Sequence, residues 1–232
     1  TYRTGARFAP LAIREASLNI ETYSFRSHVD LEDVALHDVG DLSVTSDTQE
    51  TLKRLEQVTK EILAAKKIPC LIGGEHTITL GATRAIGKDF AIIDFDAHLD
   101  LRDEYMNLET SHTTFMRRIN EQAKPRRIIE IGTRAVCKQE LDYAKKAEIS
   151  FLTTQQIRDE GVDNAIDRVG KLLGNIKKVY LTVDMDVLDP AYVPAAENPE
   201  AKGIERSCVI DILCSIKDKC VIGFDVMEIA PR

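Results

Sequence analysis

Short, unbroken apolar runs alternate along the chain with longer stretches of helical spacing. Residues 50–67, ETLKRLEQVTKEILAAKK, place Leu52, Leu55, Val58, Ile62 and Leu63 at helical intervals, and Pro69 closes the element. CLIGG at 70–74 then reads as a short strand. The same reasoning predicts helices over 77–87, 112–124, 138–147, 162–174 and 207–218, with Ser111 as N-cap of the second of these. Strands are predicted over 90–95, 127–132, 177–183 and 220–226. These strands are apolar at successive positions rather than at alternate ones, the pattern of a strand buried on both faces. Strands alternating with helices predict an α/β fold with a parallel sheet covered on both sides. No repeat, low-complexity tract or linker interrupts the order, so the expectation is one domain over 1–232. Residues 189–204 read as a long irregular loop, a feature that in compact domains is often functional.

Composition narrows the setting. The chain has 232 residues, a formal net charge of -7 and 30% charged residues. An acidic balance argues against nucleic acid as a partner. No apolar run is long enough to span a bilayer and no secretory signal is visible, so a cytoplasmic protein is expected. The five cysteines, Cys70, Cys137, Cys208, Cys214 and Cys220, form no CxxC pair and are expected to be reduced and mostly buried. The chain begins without Met and stops at Pro231-Arg232, which suggests that both ends of a longer protein are missing.

The apolar pattern fails at four places. Gly73-Gly74-Glu75-His76 follows the first strand, Asp96, His98 and Asp100 close the second, Asp184 and Asp186 close the strand over 177–183, and Glu228 follows the last. In a parallel sheet these C-terminal ends share one edge, where open α/β sheets bind ligands. In DAHLD the polar residues stand at i, i+2 and i+4, which an extended backbone points to one side, and DMD repeats the spacing. An aspartate at a strand end is ordinarily a turn or cap residue. Four aspartates converging with no Arg or Lys in either motif repel one another and need a counterion. Divalent metal is the natural one, and oxygen-rich ligation with two imidazoles suits Mn²⁺ or Mg²⁺ better than structural Zn²⁺. Asp94 lies deeper in its strand and reads as a supporting carboxylate; Asp189, before Pro190, reads as a turn residue. His28, His37, Asp38 and Asp41 read as ordinary loop residues.

GGEH, DAHLD, SH before a helix, DMDVLDP and GFDVMEIAP stand in the order seen in the ureohydrolases, the arginase and agmatinase family, and the chain resembles that family from RTGARFAP onward. The resemblance implies a three-layer α/β/α sandwich, two Mn²⁺ ions per chain and a homo-oligomer, trimer or hexamer. It implies one metal site completed by His76 and Asp100, a second completed by His98 and Asp186, and Asp96 and Asp184 as bridges. It also implies a reaction: metal-bound hydroxide attacks a guanidinium carbon, and urea and an amine leave. Metals ~3.5 Å apart can lower the pKa of a shared water from about 15.7 towards neutrality. Asp100 would relay a proton to the leaving amine, His112 would shuttle protons or orient substrate, and Glu228 would grip the guanidinium.

Three features depart from the family pattern. PAAENPEAKG, Pro194 to Gly203, replaces the usual PGTGTP turn, with Glu197 and Asn198 where small and hydroxyl residues are usual. Thr113 follows His112 where a small residue is more common. In DLRDEYMNLETSH, Arg102 lies near the position of an asparagine in arginases, so the segment is closer to agmatinases. The expected reaction is therefore agmatine to putrescine and urea, a step of polyamine biosynthesis. Arginine or another guanidino acid such as guanidinobutyrate is the alternative. A deacetylase-like amide hydrolase would use a single Zn²⁺, and a non-catalytic homologue would usually lack part of the ligand set, all six members of which are present here.

Overall fold

A computed structural model describes residues 2–231. After α1 (Ala9–Ser17), a small hairpin pairs β1 (Tyr23–Ser24) with β2 (Val29–Asp30), antiparallel. The main body then alternates: α2 (Thr48–Ala64), β3 (Cys70–Ile72), α3 (Thr79–Ile86), β4 (Ala91–Phe95), α4 (Phe115–Gln122), β5 (Arg127–Thr133), α5 (Lys138–Lys146), β6 (Ser150–Thr153), α6 (Thr154–Glu160), α7 (Val162–Leu173), β7 (Lys178–Asp184), α8 (Arg206–Ser215) and β8 (Cys220–Met227). Strands β3 to β8 form one sheet in the order β3-β8-β7-β4-β5-β6, and every pairing is parallel.

The pleat divides the strand residues between two apolar layers. Ala91, Ile93, Phe95, Ile129, Ile131 and Val179 face α7 and α8 through Val169, Leu173, Val209 and Ile212. Phe90, Ile92, Ile128 and Tyr180 face the other way, onto Leu52, Leu80, Phe115, Met116, Ile119 and Ala144 of α2, α3, α4 and α5. The result is the three-layer α/β/α sandwich with a parallel central sheet. Burial on both faces explains why β4 is apolar at consecutive positions.

Two expectations need correction. Ser111 does not cap a helix beginning at 112. The Ser111 amide donates to the Thr114 hydroxyl at 2.9 Å and the Ser111 carbonyl accepts from the Thr114 amide at 3.1 Å, so 111–114 is a turn and α4 begins at Phe115. The cysteines are all free thiols, but Cys70, Cys214 and Cys220 are exposed and Cys137 and Cys208 half-buried. Cys70 and Cys220 open β3 and β8, at the rim of the sheet opposite the one that gathers the acids. Asp189 is a turn residue, accepting from the amides of Ala191 at 3.0 Å and Gly203 at 3.1 Å.

Candidate metal centre

The strand order makes β3, β8, β7 and β4 consecutive, so the four polar motifs emerge side by side. The Gly73 amide donates to the Val226 carbonyl at 3.0 Å and the Glu228 amide to the Gly74 carbonyl at 3.0 Å, which carries the β3–β8 ladder into the motifs themselves. Gly73 leaves room there for the Met227 thioether, which a Cβ would displace. The Ala97 amide donates to Asp186 Oδ1 at 3.1 Å and ties the end of β4 to that of β7.

The carboxylates and imidazoles meet below the surface. Nδ1 of His76 lies 3.3 Å from Asp96 Oδ2 and 3.3 Å from Asp184 Oδ2. Nδ1 of His98 lies 3.3 Å from Asp96 Oδ1 and 3.1 Å from Asp186 Oδ2. Asp96 thus stands between the two imidazoles, one oxygen toward each. The donor atoms of His76, Asp96 and Asp100, and those of Asp96, His98 and Asp186, each fall within 4.8 Å of one another. Asp184 presents Oδ2 to His76 while its Oδ1 accepts from the Asp186 amide at 2.8 Å. His76 Nδ1 and Asp96 Oδ2 are buried without a hydrogen-bond partner, and buried polar atoms of that kind are rare unless something else satisfies them. The donor set fits two divalent cations of hard or borderline character.

Residues around the cluster fix its orientation. The Thr182 hydroxyl donates to Asp225, so it accepts from Nε2–H of His76, 2.7 Å away, and Nδ1 is left turned toward the acids. Asp225 also accepts from Tyr180 at 2.7 Å and Thr79 at 2.9 Å. The imidazole of His76 stacks on Phe115 with centroids 4.0 Å apart. Asp100 and Glu228 take left-handed backbone conformations, φ 50° and 61°, which non-glycine residues adopt at some cost and which cluster at functional positions.

Burial and mutual repulsion push the carboxyls of Asp94, Asp100, Asp184 and Asp186 above the ordinary carboxylate range. Burial acts on Asp96 in the same sense, but the adjacent imidazoles of His76 and His98 outweigh it and hold that carboxyl low. Burial lowers both imidazoles, and the surrounding acids raise them further than burial lowers them. Asp94 lies behind this cluster, 3.9 Å from His76 Nε2 and in register with the buried Glu130 of β5.

The cluster forms the floor of a cleft of about 420 Å³ lined also by His112, Glu228, Arg102 and Tyr105. Glu228 Oε1 accepts from the His76 amide at 2.6 Å, and its Oε2 accepts no hydrogen bond. A larger groove of about 660 Å³ along the outer face of α2 holds none of these groups. All eight residues singled out from the sequence, His76, Asp96, His98, Asp100, His112, Asp184, Asp186 and Glu228, thus lie in or around one cleft. Reading the sequence did not single out Glu75, whose Oε1 accepts from both the backbone amide and Nδ1 of His112, each at 3.0 Å. Its place in GGEH was the available signal.

The Arginase family model matches residues 1–232. The N(1)-aminopropylagmatine ureohydrolase of Thermococcus kodakarensis is 37% identical over 234 residues, covering 99% of this chain and 78% of that protein. The agmatinase of Bacillus cereus is 34% identical over 237 residues, covering 100% of this chain and 79% of that one. The crystal structure of agmatine ureohydrolase from Thermoplasma volcanium superposes with a TM-score of 0.92 at 34% identity, over 100% of this chain and 78% of that one. The chain belongs to the Arginase family and is a hydrolase of the ureohydrolase type.

Proposed function

We propose that this protein hydrolyses agmatine to putrescine and urea at a two-Mn²⁺ centre held by His76, Asp96, His98, Asp100, Asp184 and Asp186. One observation carries the reading: two overlapping donor groups that share Asp96 stand at the floor of the cleft into which Glu228 faces. When bound, a pair of divalent cations supplies water that is deprotonated near neutral pH.

The protein's own groups do the rest. The buried Glu228 carboxylate orients a planar guanidinium through its Oε2, with its Oε1 anchored on the His76 amide. Water adds to the guanidinium carbon, the bond from that carbon to the tail nitrogen breaks, and urea forms. Asp100 takes the proton from the attacking water and passes it to the departing nitrogen, which leaves as an amine. His112, its Nδ1 held by Glu75, exchanges protons between the cleft and solvent. Agmatine is preferred over arginine because Arg102 stands near the position of the asparagine that arginases carry after the DAHLD motif.

The relatives named for agmatine and for N(1)-aminopropylagmatine support a guanidino amine as substrate and leave its tail length to be measured. Urea release from agmatine, N(1)-aminopropylagmatine, arginine and 4-guanidinobutyrate tests the reading. Agmatine is expected to be hydrolysed faster than arginine; faster release from arginine overturns the substrate assignment, and no release from any of them overturns the activity. No described helix is long and apolar enough to cross a membrane, and a cytoplasmic homo-oligomer is the proposed setting.

A further inference from the structure

Glu197 is the residue of the atypical loop that the chemistry above leaves unused. It is buried, with 3% of its surface exposed. A buried carboxylate is costly unless its hydrogen bonds are specific, so its partners matter. Its Oε1 accepts from the Ala6 amide at 2.7 Å, and its carboxyl also lies within hydrogen-bond reach of the Glu228 carboxyl. Its backbone carbonyl accepts from the Arg3 amide at 3.2 Å, and its backbone amide donates to the Glu228 carbonyl at 3.0 Å.

These bonds belong to a stack of three loop segments. On one side of loop 194–198, Ala196 bridges Ile229 and the Ala230 amide donates to the Ala195 carbonyl at 2.7 Å. On the other side runs segment 2–6. There the Arg3 guanidinium donates to the carbonyls of Pro194 and Ala196, and the Tyr2 amide donates to Asn198 Oδ1 at 2.9 Å. Tyr2 and Asn198 both line the cleft that ends on Glu228 and the acids. Within segment 2–6, Ala6 is buried and Tyr2 is 79% exposed, so Glu197 grips the inner end of a strap whose outer end stands at the mouth.

We infer that Glu197 is a positioning residue: through the Ala6 amide it fastens segment 2–6 across the loop and so sets Tyr2 as the outer wall of the substrate cleft. The strap meets the tail of a guanidino substrate, while the guanidinium itself goes to Glu228. The inference rests on the proposed guanidino-amine hydrolysis for the identity of the ligand.

The test uses Glu197→Ala, Glu197→Gln, Tyr2→Ala and the double variant Glu197→Ala/Tyr2→Ala, with agmatine as probe. Glu197→Ala removes the acceptor for Ala6 and should raise KM about five- to tenfold. Glu197→Gln keeps an oxygen for the Ala6 amide and should restore KM. Tyr2→Ala should raise KM as much as Glu197→Ala, and the double variant should be no worse than either, because both changes remove one wall. Hydrogen exchange supplies a readout independent of turnover. Agmatine should slow exchange in segment 2–8 of wild type and Glu197→Gln, and not in Glu197→Ala. Unchanged KM in both Glu197→Ala and Tyr2→Ala, additive effects in the double variant, or no protection of segment 2–8 in wild type would each overturn the inference. Protection of wild type by agmatine without urea release would overturn the hydrolysis and leave the strap standing.

Discussion

Glu75 Oε1 lies 3.0 Å from Nδ1 of His112 and 3.0 Å from its backbone amide, so one carboxylate oxygen fixes both the ring and the chain that carries it. Nδ1–H donates to Glu75, which leaves Nε2 as the ring nitrogen for the proposed proton exchange. Thr77 also donates to the Glu75 carboxylate, at 2.9 Å, and these bonds hold its pKa down to about 2 against the opposing effect of burial. His112→Asn should therefore lower kcat by about 10- to 100-fold and respond to added imidazole, because a shuttle can be partly replaced. Asp184→Asn should lose more than about 1,000-fold, since an amide cannot supply the charge that the cations require. Steady-state rates at saturating Mn²⁺ give the ranking. Equal collapse of both variants would contradict the role given to His112.

Glu228 lines the cleft and has a carboxylate oxygen that accepts no hydrogen bond. Glu228→Gln keeps the shape and removes the charge. It should lower kcat/KM by roughly 10- to 1,000-fold, about 1.4 to 4 kcal/mol in transition-state stabilisation. Mn²⁺ content, measured on the same preparation, should be unchanged. Metal loss in parallel with activity would place Glu228 among the ligands instead.

The chelated protein should have an unusual pH profile. Burial first, then neighbouring acids, raise the folded-state pKa of Asp94, Asp100, Glu130 and Asp184. A group with a raised folded pKa stabilises fully below its unfolded value, about 4 for these carboxyls, and that contribution is lost as pH climbs through the folded value. His76 and His98, raised by the acids around them, act in the same sense above about 6.5. Asp96 acts oppositely, but its depressed carboxyl loses its contribution only in strong acid. The melting temperature in chelator should fall between about pH 5 and pH 9, and Mn²⁺ should restore more of it at the higher pH. A melting temperature that rises with pH in chelator would contradict the burial and crowding of these acids.

The sequence is most legible where one physical constraint dominates. Ile92, Ile93 and Phe95 had to be buried on two faces, which named β4 as an inner parallel strand and put Asp96, His98 and Asp100 on the ligand edge. The same logic placed Asp184, Asp186 and Glu228 there, and the strand order then brought them to neighbouring positions. Where several weak partners compete, the pattern says less. Ser111 has the chemistry of a cap, but Thr114 offered its amide a hydroxyl and turned the chain first. The edge strand β6 has only four residues, and the β1–β2 hairpin two residues a side, too short for a periodicity. Glu75 looks like a surface acid until the fold sets it against His112, and Glu197, legible only as a departure in its loop, finds its partner in the Ala6 amide.

The two-cation centre is tested most directly by metal analysis and urea release on one preparation. The arrangement of His76, Asp96, His98, Asp100, Asp184 and Asp186 predicts two Mn²⁺ per chain at full activity, activity abolished by chelation, and recovery when Mn²⁺ is returned. Full activity with a single tightly held Zn²⁺ per chain would contradict it.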